Sequence, residues 1–153
     1  MRYLFDSGML LRLGHRLDPG HSAARSALRV LRNRGDSVVS APQNVAEFWN
    51  VATRPLAARG GYGLTFQETK KRLRMLERVL TVLPDAAATY SIWKGLIVAH
   101  AVRGVQVHDA RLVAFMQAHG VNDIVTFNSK DFTRYAGINV HTPAAFAAPP
   151  PTP

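Results

Sequence analysis

Ten acidic residues stand against 19 Lys and Arg in this 153-residue chain, and four of the ten sit where a carboxylate could do chemistry. Asp6 closes a short apolar run, Tyr3-Leu4-Phe5, and a second run, Met9-Leu10-Leu11, follows almost at once. An acid at such a junction is costly to bury unless a cation meets it, so Asp6 is read as the first of several metal-binding carboxylates. Glu47 lies among Ala46, Phe48 and Trp49, Asp109 opens the stretch Ala110-Arg111-Leu112-Val113, and Asp131 closes the polar run Asn128-Ser129-Lys130. Each also has a plain structural reading. Asp6 could cap the helix after it, Glu47 could face solvent, Asp109 could complement a helix dipole, and Asp131 could stabilise a turn. The other six acids have simpler expected places: Asp18 and Asp36 in turns, Asp85 as a helix N-cap, Glu68 and Glu77 on a charged helical face, and Asp123 exposed ahead of a strand. The chain has no Cys, which excludes disulfides, thiolate zinc sites and cysteine nucleophiles. Its six His are scattered without a pair at helical ligand spacing.

The elements that must position these acids follow from periodicity and turn signals. Residues 2–6 read as a buried strand, 9–16 as a short helix closed near Asp18-Pro19-Gly20, and 21–34 as a helix with Ala24, Ala27, Leu28 and Leu31 on one face and Arg25, Arg29 and Arg32 on the other. Val38–Ala41 reads as a strand. Pro42 suits the first turn of a helix over 43–53, with Val45, Phe48, Trp49 and Ala52 inward and Asn44, Glu47 and Asn50 opposite. Gly60-Gly61-Tyr62-Gly63 falls in a loop. Thr65 and Glu68 form a capping-box pattern at the head of a helix ending near Arg78, whose outer face carries Lys70, Lys71, Arg74 and Arg78. Thr81–Leu83 is a short strand, 86–101 a helix, Val107–Met116 another, Ile124–Thr126 a strand, Asn128–Phe132 a tight polar turn, and Ile138–Val140 a last strand. Trp49 and Trp93 lie on apolar stripes and read as core. Short strands alternating with helices indicate an α/β domain with a mostly parallel sheet of about five short strands. In such sheets a site lies beyond the carboxyl ends of the strands, where Asp6, Asn128 and Asp131 fall.

Composition narrows the class. Hydrophobic residues make up 47% of the chain, enough for a packed core in one domain. The domain is expected over 1–143, with an Ala/Pro-rich disordered tail over 144–153. The net charge of +9 favours a polyanionic partner such as nucleic acid, or an acidic protein. No apolar stretch approaches the roughly 20 residues that span a bilayer, and no signal-peptide pattern is evident. A cytoplasmic protein without a membrane partner is expected.

The four acids in order resemble a specific pattern. Asp6-Ser7-Gly8-Met9-Leu10-Leu11, Ala46-Glu47-Phe48-Trp49-Asn50, His108-Asp109-Ala110-Arg111-Leu112 and Thr126-Phe127-Asn128-Ser129-Lys130-Asp131-Phe132 are similar to the motifs of PIN-domain ribonucleases of the VapC toxin type, over roughly residues 2–142. One departure stands out: Gly8 occupies a position where that family commonly has Asn. The resemblance implies a three-layer PIN-like fold, with helices on both sides of the sheet. It implies hydrolysis of RNA phosphodiester bonds to 5′-phosphate and 3′-hydroxyl ends with Mg²⁺ or Mn²⁺, the hard cations that all-oxygen ligands suit. It assigns Asp6, Glu47, Asp109 and Asp131 as catalytic and metal-holding acids, with Asp131 the weaker fourth. Ser7 and Asn128 take supporting roles, and Arg111, two residues beyond Asp109, is a candidate site contact. It also implies a homodimer and a cognate antitoxin partner.

Two other readings compete. A non-catalytic RNA-binding module with a degenerate metal site would leave salt-sensitive RNA binding and no turnover. An aspartyl-phosphate phosphotransferase would also place an Asp after its first strand, but it needs a second acid two residues on, and that residue is Gly8.

Overall fold

The structure, a computed structural model, describes residues 1–147. Five short strands form one sheet: β1 (Arg2–Phe5), β2 (Ser37–Ser40), β3 (Thr81–Val82), β4 (Asp123–Val125) and β5 (Asn139–His141). They lie in the order β3-β2-β1-β4-β5, and every neighbouring pair is parallel. The helices are α1 (Ser7–Gly14), α2 (His21–Asn33), α3 (Pro42–Thr53), α4 (Phe66–Glu77), α5 (Thr89–Ala99) and α6 (Gln106–Ala118). Alternation along the strands decides which helices cover which face. Tyr3, Phe5 and Val38 join a core with Met9, Leu10, Leu31, Phe48 and Leu76, from α1 to α4. Leu4 and Val39 point the other way, into a core with Leu112, Val113, Phe115 and Met116 of α6, against which Trp93 and Ile97 of α5 pack. The result is the expected three-layer α/β fold. Burial on both faces explains why β1 and β4 read as unbroken apolar runs rather than as alternating ones.

Local sequence sets the element ends. Pro42 occupies the first turn of α3, where its missing N–H costs nothing. The capping box of α4 forms in full: Glu68 N donates to Thr65 Oγ1 and Thr65 N donates to Glu68 Oε2. Gly120, past the end of α6, sits at φ +63°, the left-handed conformation that closes helices. Gly14 lets α1 approach α3, because a Cβ there would lie 3.0 Å from the Phe48 ring.

Four expectations change. Helix α1 begins at Ser7 rather than near residue 9, because Asp6 itself caps it. Helix α5 begins at Thr89 rather than 86, and Asp85 caps nothing; it meets the Arg111 guanidinium through both carboxylate oxygens at 3.1 Å. Asp123 is not exposed but buried at the start of β4, where it accepts from Asn139 Nδ2 at 3.2 Å and pairs with His141 Nε2 at 2.8 Å. The ordered domain also runs past 143. Pro143–Phe146 forms a 3₁₀ turn whose Phe146 ring packs edge-on against Tyr3, since burying an aromatic ring outweighs the poor propensity around it. The rest of the expected tail, 148–153, lies outside the described residues.

Candidate active site

The parallel pairing of β1 with β4 sets Phe5 beside Val125, so the next residues, Asp6 and Thr126, emerge side by side at the carboxyl edge of the sheet. Asp6 has two jobs there. Its Oδ1 accepts from Met9 N at 2.9 Å and caps α1, while its Oδ2 accepts from Thr126 Oγ1 at 2.5 Å. Thr126 Oγ1 in turn accepts from the backbone N–H of Asn128 at 2.9 Å, a relay that orients the hydroxyl toward the carboxylate. Capping and a chemical role are therefore compatible for Asp6, because each carboxylate oxygen carries two lone pairs.

The carbonyl of Phe5, immediately before Asp6, is fixed from the other side. Ser40 Oγ donates to it at 2.8 Å and Asn44 Nδ2 at 3.0 Å, and Asn44 Nδ2 also reaches Ser40 Oγ at 3.1 Å. Because a carbonyl only accepts, these contacts settle which end of the Asn44 amide faces it. Asn44 is fully buried, not on a solvent face with Glu47 and Asn50, since α3 presents it to the end of β1. Its Oδ1 has no hydrogen-bond partner among the described residues, a costly state for a buried amide.

One cavity of about 160 Å³ brings the acids together. Asp6, Glu47, Asp109 and Asp131 all line it, as do Ser7, Asn44 and Asn128. They come from the ends of β1 and β4 and from α3 and α6. Their charges interact. Burial pushes Asp109 up to about 6, with Asp131, Glu47 and Asp6 adding to the rise. Burial likewise raises Asp6 to about 6, with Glu47 contributing, against the hydrogen bonds from Thr126 and Met9 and the nearby Arg12 charge. Two carboxyls raised this far, chiefly by burial and in Asp109 also by neighbouring acids, mark a candidate functional site.

Arg111 is placed differently from the expectation: it does not line the acidic cavity. Besides Asp85, it donates to Gln43 Oε1 at 3.1 Å, and Gln43 Nε2 donates to Glu47 Oε1 and to the His108 carbonyl, each at 2.9 Å. Gln43 thus ties the carboxylate of Glu47 to the backbone next to Asp109, and Arg111 holds Gln43. Gln43, Ser40, Asn44, Thr126 and Arg12 are the residues that sequence reasoning missed as site residues. Thr126 had a signal, a hydroxyl on the residue leaving a buried strand; the others gain their roles only from neighbouring strands and helices.

The donor set suits a hard divalent cation: four carboxylates and the orphaned buried Asn44 Oδ1, with no sulfur or imidazole. Among the described residues no three of His, Asp or Glu draw close enough together to hold a metal ion.

No family model matches the sequence, and no curated protein matches it. Solved structures do match in shape. VapBC2 from Rickettsia felis, bound to a promoter DNA fragment, aligns over 93% of this chain and 98% of its own with a TM-score of 0.69 at 14% identity. VapC20 of Mycobacterium tuberculosis, described as a sarcin–ricin loop cleaving toxin, aligns over 80% and 86% with a TM-score of 0.58 at 19% identity. A toxin–antitoxin complex from Klebsiella pneumoniae aligns over 92% and 97% with a TM-score of 0.60 at 20% identity. At these identities the likeness is one of architecture, and it spans nearly the whole chain: the protein has the PIN-like fold of the VapC-type toxins.

Proposed function

We propose that the protein is an Mg²⁺- or Mn²⁺-dependent endoribonuclease acting in the cytoplasm as the toxin of a toxin–antitoxin pair. The observation that carries this reading is the convergence of Asp6, Glu47, Asp109 and Asp131 from four separate segments on one cavity of a chain with net charge +9. An acidic centre repels RNA unless cations intervene, whereas a basic surround attracts it. Bound among the acids, the divalent ion would neutralise charge on the scissile phosphate and acidify a water molecule. Asp6, Glu47 and Asp109 would hold it directly or through water, with Asp131 at the rim. Ser7 and Asn128 would orient water on the cavity wall. Hydrolysis adds water across the P–O3′ bond, leaving a 5′-phosphate and a 3′-hydroxyl.

The fold it shares with VapC20, a toxin said to cleave the sarcin–ricin loop, and with chains solved in toxin–antitoxin complexes supports both the substrate class and an antitoxin partner. Helix α5 supports a homodimer. Of its residues only Thr89 is buried, while Tyr90 and Val98 are 67% and 76% exposed, a cost that self-association would relieve. Among the described residues no helix is long and apolar enough to cross a membrane.

The test is cleavage of a structured RNA with Mn²⁺ or Mg²⁺, abolished by EDTA and by Asp6→Asn or Asp109→Asn in protein that stays folded. Parental cleavage by either variant would sink the site assignment. Salt-sensitive RNA binding with no metal-dependent turnover, and no Mn²⁺ heat by calorimetry, would favour the non-catalytic RNA-binding reading instead.

A further inference from the structure

Arg12, on α1, also lines the acidic cavity, and the chain has made a slot for it. Its guanidinium carbon sits 4.2 Å above the centre of the Phe127 ring, close enough for a cation–π contact. Nη1 donates to the Gly8 carbonyl at 3.1 Å, and Nε lies 3.7 Å from Asp18 Oδ1. Two glycines keep the slot open. A Cβ at Gly20 would lie 2.6 Å from Arg12 Cδ and 2.8 Å from Nε, closer than real side chains approach. A Cβ at Gly8 would lie 3.4 Å from Arg12 Nη1 and 3.3 Å from Asp6 Oδ1. A methyl group at position 8 would thus touch both the guanidinium and the Asp6 carboxylate.

The Arg12 charge is near enough to oppose the rise of Asp6, but it is not locked into a pair with any of the four acids. Among the described residues it makes no ion pair within 4.0 Å with Asp6, Glu47, Asp109 or Asp131; its one acidic partner is Asp18, on the far side of the slot. Asp18 is itself engaged by Tyr62 Oη and by the Gly20 N–H, each at 2.7 Å. With Nη1 on the Gly8 carbonyl and Nε beside Asp18, Nη2 is the guanidinium nitrogen left to meet an anion. The non-bridging oxygens of a phosphodiester presented to this cavity are best stabilised by a cation and a fixed guanidinium together.

We infer that Arg12, seated between Gly8, Gly20 and Phe127, is an RNA-phosphate contact of this cavity. The inference rests on the ribonuclease reading for its substrate class.

The experiment measures binding of a fluorescein-labelled single-stranded RNA by anisotropy, with Ca²⁺ present, alongside cleavage with Mn²⁺, Mn²⁺ affinity by calorimetry and thermal midpoints. Arg12→Met should weaken RNA binding by about 10- to 100-fold, the loss expected for one charge-assisted contact. The slope of log affinity against log salt should fall by about 0.7, one phosphate of a single strand. Mn²⁺ affinity should not fall. Arg12→Lys should recover part of the binding but little of the cleavage, because the planar fork is lost. Gly20→Ala, which crowds the guanidinium while keeping its charge, should reproduce the loss on a second background should Arg12→Met unfold. Unchanged RNA affinity and salt slope in Arg12→Met would overturn the phosphate contact and leave the nuclease proposal standing. If the parental protein binds RNA through Arg12 but never cleaves it, the nuclease reading fails and the contact survives.

Discussion

At the scale of single residues, the site turns on how Asp6 is held. One oxygen caps α1 and the other accepts from Thr126, so its carboxylate is fixed without being neutralised. The Thr126 hydroxyl favours the ionised form of Asp6, while burial opposes it and places Asp6 near 6. Thr126→Val keeps the shape and removes the donor. Asp6 should then hold its proton to higher pH, and the midpoint in a plot of Mn²⁺ affinity against pH should move up by half a unit or more, as expected for loss of one such hydrogen bond (about 1 kcal/mol). Calorimetric titrations between pH 5 and 8 would measure this; an unmoved midpoint would mean that Asp6 does not limit metal binding. Of the site's residues, the four acids were legible in the chain because acids are scarce in it and each stands beside apolar neighbours or a strand end. Arg12 was not, because one Arg among 19 basic residues is distinguished only by the glycines and the ring that surround it.

At the scale of elements, the acids are positioned by the register between neighbouring strands and by the first turns of helices. Helix periodicity was readable because α2, α3 and α4 bury one face, and β1, β2 and β4 were readable because most of their residues are buried on both sides. Asp85, Asp123 and Phe146 were misread for one shared reason: their partners, Arg111, His141 and Tyr3, are distant in sequence. Asn44 shows the same limit most sharply. Helical spacing groups it with Glu47 and Asn50, yet it is a buried strut under the end of β1. Asn44→Ala should cost about 2–3 kcal/mol in urea unfolding, from lost packing and hydrogen bonds. Asn50→Ala, on the exposed side of the same helix, should change stability by less than about 0.5 kcal/mol. Equal effects at the two positions would return Asn44 to the solvent face. At the far side of the sheet, Val98→Asp on α5 should leave the chain folded but shift the proposed dimer to a monomer of 16.8 kDa in equilibrium sedimentation. A parental protein that is already monomeric at micromolar concentration would remove the dimer from the proposal.

For the molecule as a whole, the acidic cavity is a local reversal of sign in a strongly basic chain, and that reversal should be visible in global stability. Asp6 and Asp109 both rise from 3.8 to about 6 on folding, chiefly through burial and then through neighbouring carboxylates in the case of Asp109. An acid whose pKa is higher in the folded state binds more protons there than in the unfolded chain, so unfolding free energy falls as pH increases across that interval. The contribution of these two groups is complete below about pH 4 and is lost by about pH 6 to 7. For Asp6 alone the conversion sets a ceiling of about 3 kcal/mol, and the more exposed Asp109 adds less. Asp18, whose hydrogen bonds from Tyr62 and Gly20 outweigh its burial, is held low, as is Glu68 by its capping-box contacts with Thr65. Both act with the opposite sign at lower pH, outside this window. The metal-free protein should therefore melt several degrees lower at pH 7 than at pH 5, against the ordinary expectation that neutral pH favours a folded domain. A divalent ion that binds only the folded, ionised site reverses the trend by mass action: Mn²⁺ at millimolar concentration should raise the midpoint markedly at pH 7 and little at pH 5. Asp6→Asn should flatten both dependences at once, because it removes a titrating charge and a proposed ligand together. Scanning calorimetry of both proteins at the two pH values, with EDTA and with Mn²⁺, separates these outcomes. A metal-free midpoint that climbs from pH 5 to 7, unaffected by Asp6→Asn, would mean that folding does not hold Asp6 and Asp109 above the ordinary carboxyl range.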